Sequence, residues 1–146
     1  MLAMTLAKLK VLTAAAEAAY PEEACALIVG RKGPGRHFWT GRIEPARNVA
    51  PDRRRRFEVD PGLRIGLERD LRHGPDTVIG VWHSHPDGPA RPSAVDLASA
   101  FEPELVWIIT AVAGGQAVQT AAYCLRDDGG GFQDLPLVLL TGPDAE

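Results

Sequence analysis

The sequence predicts a single α/β (α+β) domain, a sheet of about six strands flanked by about three helices. Three observations predict it. The length of 146 residues suits one domain with one sizeable core. Apolar residues switch repeatedly between helical spacing and short runs bounded by turn residues. The 15 Gly and 12 Pro punctuate the chain without creating a linker long enough to divide it, so residues 1–146 are read as one unit.

The elements follow in order. Leu2, Leu6, Leu9, Thr13, Ala16 and Tyr20 recur at spacings of four and three, one face of a helix that Pro21 ends at Tyr20. Ala24 to Gly30 is a short apolar run between turn signals and reads as a buried strand. Residues 31–35 form a turn, residues 36–43 the next strand, and residues 44–56 a polar loop carrying Pro45 and Pro51. Asp60 as N-cap and Pro61 at the first position open a second helix, striped by Leu63, Leu67 and Leu71 and stopped at Gly74-Pro75. Thr77 to Trp82 is a strand that runs directly into His83-Ser84-His85-Pro86. Ser93 caps a short helix over residues 94–102, before Pro103. Leu105 to Val112 and Gln116 to Leu125 are strands joined by a hairpin turn at Gly114-Gly115. Residues 132–140 form a last apolar segment, where Pro136 suits an edge position.

Composition excludes several functions. Two cysteines, Cys25 and Cys124, cannot build a four-thiolate zinc site, and two core thiols in a reduced interior are the simplest reading. A net charge of −3 disfavours a general nucleic-acid binder. The run Arg53-Arg54-Arg55-Arg56 reads as a solvated loop beside Asp52; its functional alternative is a docking patch for an acidic partner surface. The longest apolar run, Leu105 to Ala113, falls far short of the ~20 residues that span a membrane. The N-terminus lacks an early positive charge, so it reads as a helix rather than a signal peptide, and the expected location is the cytoplasm.

His83 and His85 stand two apart at a strand end, which puts both imidazoles on one face. Asp96 is the candidate third ligand of a metal. It occupies the third position of the helix capped by Ser93, and helical side chains tilt back toward the N-terminus. Ser93 and Asp96 also fit a capping box with Asp in place of Glu, and the two roles are compatible. Two His and one carboxylate leave a zinc ion one position for water, the pattern of a catalytic site rather than a structural one. Such water has its pKa lowered towards about 7, and a hydrolase needs a general base beside it. Glu22 and Glu23 precede the buried strand; a solvated strand entrance accounts for either, and the residues alone choose neither as the base.

His83-Ser84-His85, seven residues, Ser93, two residues and Asp96 resemble the motif His-Ser/Thr-His-x7-Ser-x-x-Asp of the JAMM (MPN+) zinc metalloproteases, the Mov34/PAD-1 superfamily. Every position and both spacings match. The family's upstream glutamate opens a strand as Glu-x-x-Gly/Ala-Leu; Glu23-Ala24-Cys25-Ala26-Leu27 fits and Glu22 does not. The resemblance extends to Pro21, Asn48, Phe57-Glu58-Val59-Asp60-Pro61 and Gly80-Val81-Trp82. It implies a curved mixed sheet wrapped by helices, with one Zn2+ at its edge held by His83, His85, Asp96 and a water. It implies Glu23 as the base that deprotonates that water and passes the proton to the leaving amine. It implies Ser93 as the hydrogen-bond donor to the oxyanion.

The implied substrates are ubiquitin-like proteins, and the chain is most similar to small stand-alone prokaryotic members of the family. Those act on ubiquitin-like β-grasp sulfur carriers, removing a conjugated protein or a C-terminal cysteine. On the docking alternative, the arginine run would be a contact for the carrier's body. Neither nucleic acid nor a membrane is an expected partner, and a homodimer is left open. The rival function is a scaffold or binding module that keeps this fold without activity. A nucleobase deaminase needs His-x-Glu with Pro-Cys-x-x-Cys, and this chain has neither.

Overall fold

A computed structural model describes residues 1–141. The chain runs β1 (Leu2–Thr5), α1 (Leu6–Ala19), β2 (Cys25–Lys32), β3 (Phe38–Ala46), α2 (Pro61–Leu71), β4 (Thr77–Pro86), α3 (Ala94–Ser99), β5 (Val106–Ala113), β6 (Gln116–Leu125), β7 (Phe132–Leu135) and β8 (Leu137–Leu140). All eight strands join one mixed sheet in the order β7-β6-β5-β4-β2-β3-β1-β8. β1 pairs in parallel with β3 and β8, and β4 with β5; the other neighbours are antiparallel.

β7 and β8 lie at opposite edges of this sheet, yet only Pro136 separates them in the chain. Two residues of extended chain reach no more than about 7 Å, so the sheet must curl until its edges meet. The Leu2 N–H donates to the Pro136 carbonyl at 2.8 Å at this junction. The curvature and mixed pairing expected of the fold are therefore present. Pro136 lies between the two edge strands, where its missing N–H costs no ladder bond.

Several expectations need correction. The helix read from Leu2 begins at Leu6, because residues 2–5 are a fully buried strand. Thr5 ends that strand and caps α1 by accepting from the Lys8 N–H at 3.2 Å. The helix buries Leu12 and Ala16, while Leu6 of the expected stripe is exposed. Among the described residues the sheet has eight strands instead of about six, since residues 2–5 add one and residues 132–140 divide into two. The helix expected over 94–102 stops at Ser99, and the expected turn at 31–35 begins only after Lys32. The strand expected over 36–43 runs Phe38–Ala46, because residues 44–46 of the expected loop, Pro45 included, stay paired with β2. The other elements stand close to where the pattern places them. Asp60 accepts from Gly62 with Pro61 at the first position of α2, and Gly114 and Gly115 both take positive φ in the β5–β6 hairpin.

The two faces of the sheet carry separate clusters. One packs Ile28, Trp82, Val106 and Ile108 with Leu12 and Ala16 of α1. The other packs Leu27, Val81, Trp107 and Ile109 with Leu67 of α2. Strand alternation puts His83 on the side of Val81, so it opens on the α2 face. Among the described residues no helix is long and apolar enough to cross a membrane.

Candidate active site

Sheet register brings the acidic and imidazole groups together. Cys25 of β2 faces His83 of β4. The ladder continues one residue further: the Ser84 N–H donates to the Ala24 carbonyl at 3.0 Å, and the Ala24 N–H donates to Ser84 Oγ at 2.8 Å. Glu23 therefore arrives beside His83, with Oε1 3.1 Å from Nδ1 and the residue 4% exposed. Its backbone is pinned on both sides. The N–H donates to the Arg53 carbonyl at 2.7 Å, and the carbonyl accepts from Asn48 Nδ2 at 2.9 Å. Asn48 Oδ1 also takes the N–H groups of Ala50 and Glu58, folding that loop against Glu23. Glu22 points elsewhere and pairs with Arg53 at 3.0 Å. The arginine run faces solvent with its side chains and holds Glu23 with its backbone.

α3 contributes the second carboxylate. Ser93 Oγ accepts from the Asp96 N–H at 3.1 Å, and Asp96 Oδ2 accepts from the Ser93 N–H at 2.8 Å, a complete capping box. This box fixes a buried Asp96 with Oδ2 3.3 Å from His83 Nε2. The pair is not aligned as a hydrogen bond, and Nε2 is buried without a partner. His83 Nδ1 faces only acceptors, Ser84 O and Glu23 Oε1, so it carries a proton.

Burial by itself pushes the His83 imidazole towards neutrality. The facing Asp96 and Glu23 carboxylates outweigh it and raise its pKa from 6.5 to about 9. Burial likewise favours a neutral Asp96, but His83 and the cap hydrogen bonds from Ser93 hold its carboxyl below the ordinary range. A histidine whose pKa rises on folding stabilises the fold fully below its unfolded pKa and loses that contribution as pH rises through the folded value. Chelator-treated protein should thus have a higher denaturation midpoint at about pH 6 than at about pH 9.5, a difference that shrinks in His83→Gln. A flat profile in the parent protein would refute the assignment.

Two ligands about 2.1 Å from one tetrahedral zinc ion lie about 3.4 Å apart, which the His83 Nε2 and Asp96 Oδ2 separation of 3.3 Å matches. His85 donates Nδ1–H to the Pro89 carbonyl at 2.8 Å, leaving Nε2 as a lone-pair donor. Its ring centroid stands 6.2 Å from that of His83, whereas two imidazoles on one tetrahedral ion sit about 5 Å apart. Among the described residues no three His, Cys, Asp or Glu groups converge closely enough to hold an ion as they stand. The donor chemistry fits zinc, and His85 is the member that must close by about 1 Å.

Sequence reasoning assigned no role to the walls around these groups. Phe57 stacks on His83 with centroids 4.4 Å apart and planes at 18°, and Trp107 meets the ring edge-on at 6.0 Å. These aromatics lie far from the histidine in the chain, and nothing in local spacing announces the contact. A groove of about 700 Å3 runs beside the site, lined by Leu27, Val59, Ile65, Val81, Val95 and Trp107, with Asp96 in its wall. Arg64 and Glu102, also in its wall, are joined by two bonds at 2.6 and 2.7 Å. Cys25 and Cys124 are free and buried, and burial followed by the Glu23 charge pushes the Cys25 thiol up to about 12, far from a nucleophile's range.

The sequence profile of the family described as prokaryotic homologs of the JAB domain matches residues 7–123. A desampylase of Haloferax volcanii is 29% identical over 89 residues, 61% of this chain and 62% of that protein. The CysO-cysteine peptidase of Mycobacterium tuberculosis is 22% identical over 111 residues, 74% of this chain and 71% of the peptidase. A solution structure of a protein from Desulfitobacterium hafniense superposes with a TM-score of 0.83 at 29% identity, covering 99% of this chain and 96% of that one. A crystal structure of a JAB1/MPN domain protein from Archaeoglobus fulgidus gives a TM-score of 0.56 at 21% identity, covering 96% and 98%, and shares the fold. The chain belongs to the prokaryotic family of JAB domain homologues.

Proposed function

We propose that this protein is a zinc-dependent peptidase of the JAMM type. Its substrate is the amide or isopeptide bond after the C-terminal glycine of a ubiquitin-like or sulfur-carrier protein. The observation that carries the reading is the buried Glu23 carboxylate beside His83, opposite an unpartnered Nε2 facing Asp96. The names of the desampylase and the CysO-cysteine peptidase support the choice of substrate.

His83, His85 and Asp96 would hold the ion, and zinc bound there would supply Lewis acidity that lowers the pKa of water and polarises the scissile carbonyl. Glu23 accepts the proton of the attacking water and delivers it to the departing amine. Being buried, it does this without competition from bulk solvent. Ser93 Oγ accepts from the Asp96 N–H and so keeps its own hydroxyl proton to donate to the carbonyl oxygen as charge develops there. The apolar groove holds the extended carrier tail and delivers its terminal glycine to the site.

The decisive experiment incubates the protein with carrier proteins extended past their terminal Gly-Gly and reads the products by mass spectrometry, beside metal analysis of the purified chain. Cleavage directly after the glycine with about one zinc per chain is expected. A folded, zinc-free protein that cleaves none of them is a scaffold instead. The groove has its own test. Ile65 is 58% exposed, so Ile65→Glu leaves the fold intact and should raise KM about tenfold with kcat unchanged. An unaltered KM would put the tail elsewhere.

A further inference from the structure

We propose that Asp87 is a positioning residue that clamps the turn following the histidines and thereby sets the tautomer and orientation of His85. Asp87 is the one non-glycine residue with positive φ among those described, at 53°. Residues other than glycine adopt that backbone uncommonly, aspartate more readily than most, and surrounding bonds can fix it there. Here they do. Its N–H donates to the Val112 carbonyl at 2.6 Å. Its carboxylate is shared: Oδ2 accepts from the Tyr20 hydroxyl at 2.6 Å, and Oδ1 from the Gly114 N–H at 3.0 Å. One side chain thus joins the end of α1, the β5–β6 hairpin and the end of β4.

The bend that this clamp imposes turns the chain back over His85. The Gly88 N–H returns to the His85 carbonyl at 3.4 Å, and the Pro89 carbonyl accepts from Nδ1 at 2.8 Å. Gly88 lies so close to the imidazole that a Cβ there would stand 3.0 Å from Nε2 and Cδ2. The carbonyl fixes which nitrogen carries the proton, and the glycine fixes where the ring sits. Both depend on the turn that Asp87 holds. The functional consequence rests on the reading of His85 as a metal ligand; the effect on the ring itself does not.

The test uses the full chain with 15N-labelled histidine, stripped of metal for the tautomer measurement because zinc on Nε2 would by itself hold the proton on Nδ1. Long-range proton–nitrogen correlations report the tautomer of each ring, and competition with a chromophoric chelator gives the zinc Kd. Asp87→Gly permits the same backbone but removes both side-chain bonds. It should turn the His85 signal from the pure Nδ1–H form into a mixture and weaken zinc about 10–100-fold. Asp87→Asn keeps an oxygen for the Gly114 N–H, can reverse the other bond by donating from Nδ2 to the Tyr20 hydroxyl oxygen, and tolerates positive φ, so it should stay close to the parent protein. Tyr20→Phe removes one bond and should fall between. A merely structural Asp87 would lower melting temperature without moving the His85 signal or the zinc Kd. An unchanged His85 signal in Asp87→Gly overturns the proposal whatever the zinc result. A pure tautomer in a parent protein that takes up no zinc upholds the clamp and overturns the metal reading.

Discussion

Glu23→Gln should slow carrier cleavage by about 10²–10⁴-fold while the zinc content of the purified protein stays unchanged. The substitution keeps size and shape in a site that leaves the residue 4% exposed. The glutamine oxygen can still accept from His83 Nδ1, where Oε1 now lies 3.1 Å away. What disappears is a group able to take a proton from water and return it to an amine. Glu22→Gln is the matched control. Its side chain pairs with Arg53 at 3.0 Å and faces away from His83, so activity should remain near that of the parent. Single-turnover rates and metal analysis on both variants settle the matter. Full activity in Glu23→Gln would move the base elsewhere.

Trp82→Ala should cost about 3–5 kcal/mol of folding stability, a large share of the ~5–15 kcal/mol that holds a typical domain together. Trp82 is fully buried in the cluster shared with α1. Its indole Nε1–H donates to Thr110 Oγ1 at 2.9 Å, and that hydroxyl meets Thr120 Oγ1 at 2.8 Å. Alanine leaves a cavity and removes one of the two partners of a buried hydroxyl. The residue precedes His83 in β4 but faces the opposite side of the sheet, so the loss is expected in stability first. Urea denaturation should show a lower midpoint with an unchanged slope. A loss below about 1 kcal/mol would mean that the strand carrying the histidines does not depend on this packing.

Much of the site was legible before any fold was known. His83 and His85 share a face because side chains alternate along a strand, and Ser93 with Asp96 reads as a helix start because capping chemistry is local. The preference for Glu23 over Glu22 came from the resemblance to a known motif, since neither spacing nor charge separates them. The structure supplies the reason: the Cys25–His83 register turns Glu23 inward and leaves Glu22 on Arg53. The errors were also local. A run of apolar residues at helical spacing absorbed Leu2 to Thr5 into α1, because nothing in those four residues reveals that β3 and β8 lie on either side of them.

The sequence by itself determined most of the elements, with the caps of α2 and α3 and the β5–β6 turn, and the chemical types gathered at positions 23, 83, 85, 93 and 96. Those properties depend on residues within a few positions of one another. Only the tertiary structure decided which groups meet: Phe57 against His83, Asp87 against Tyr20 and Gly114, β8 against β1, and an apolar groove beside Asp96. Each joins segments distant in the chain through sheet register and curvature. Those follow from the packing of the whole core, and no short stretch of sequence encodes them.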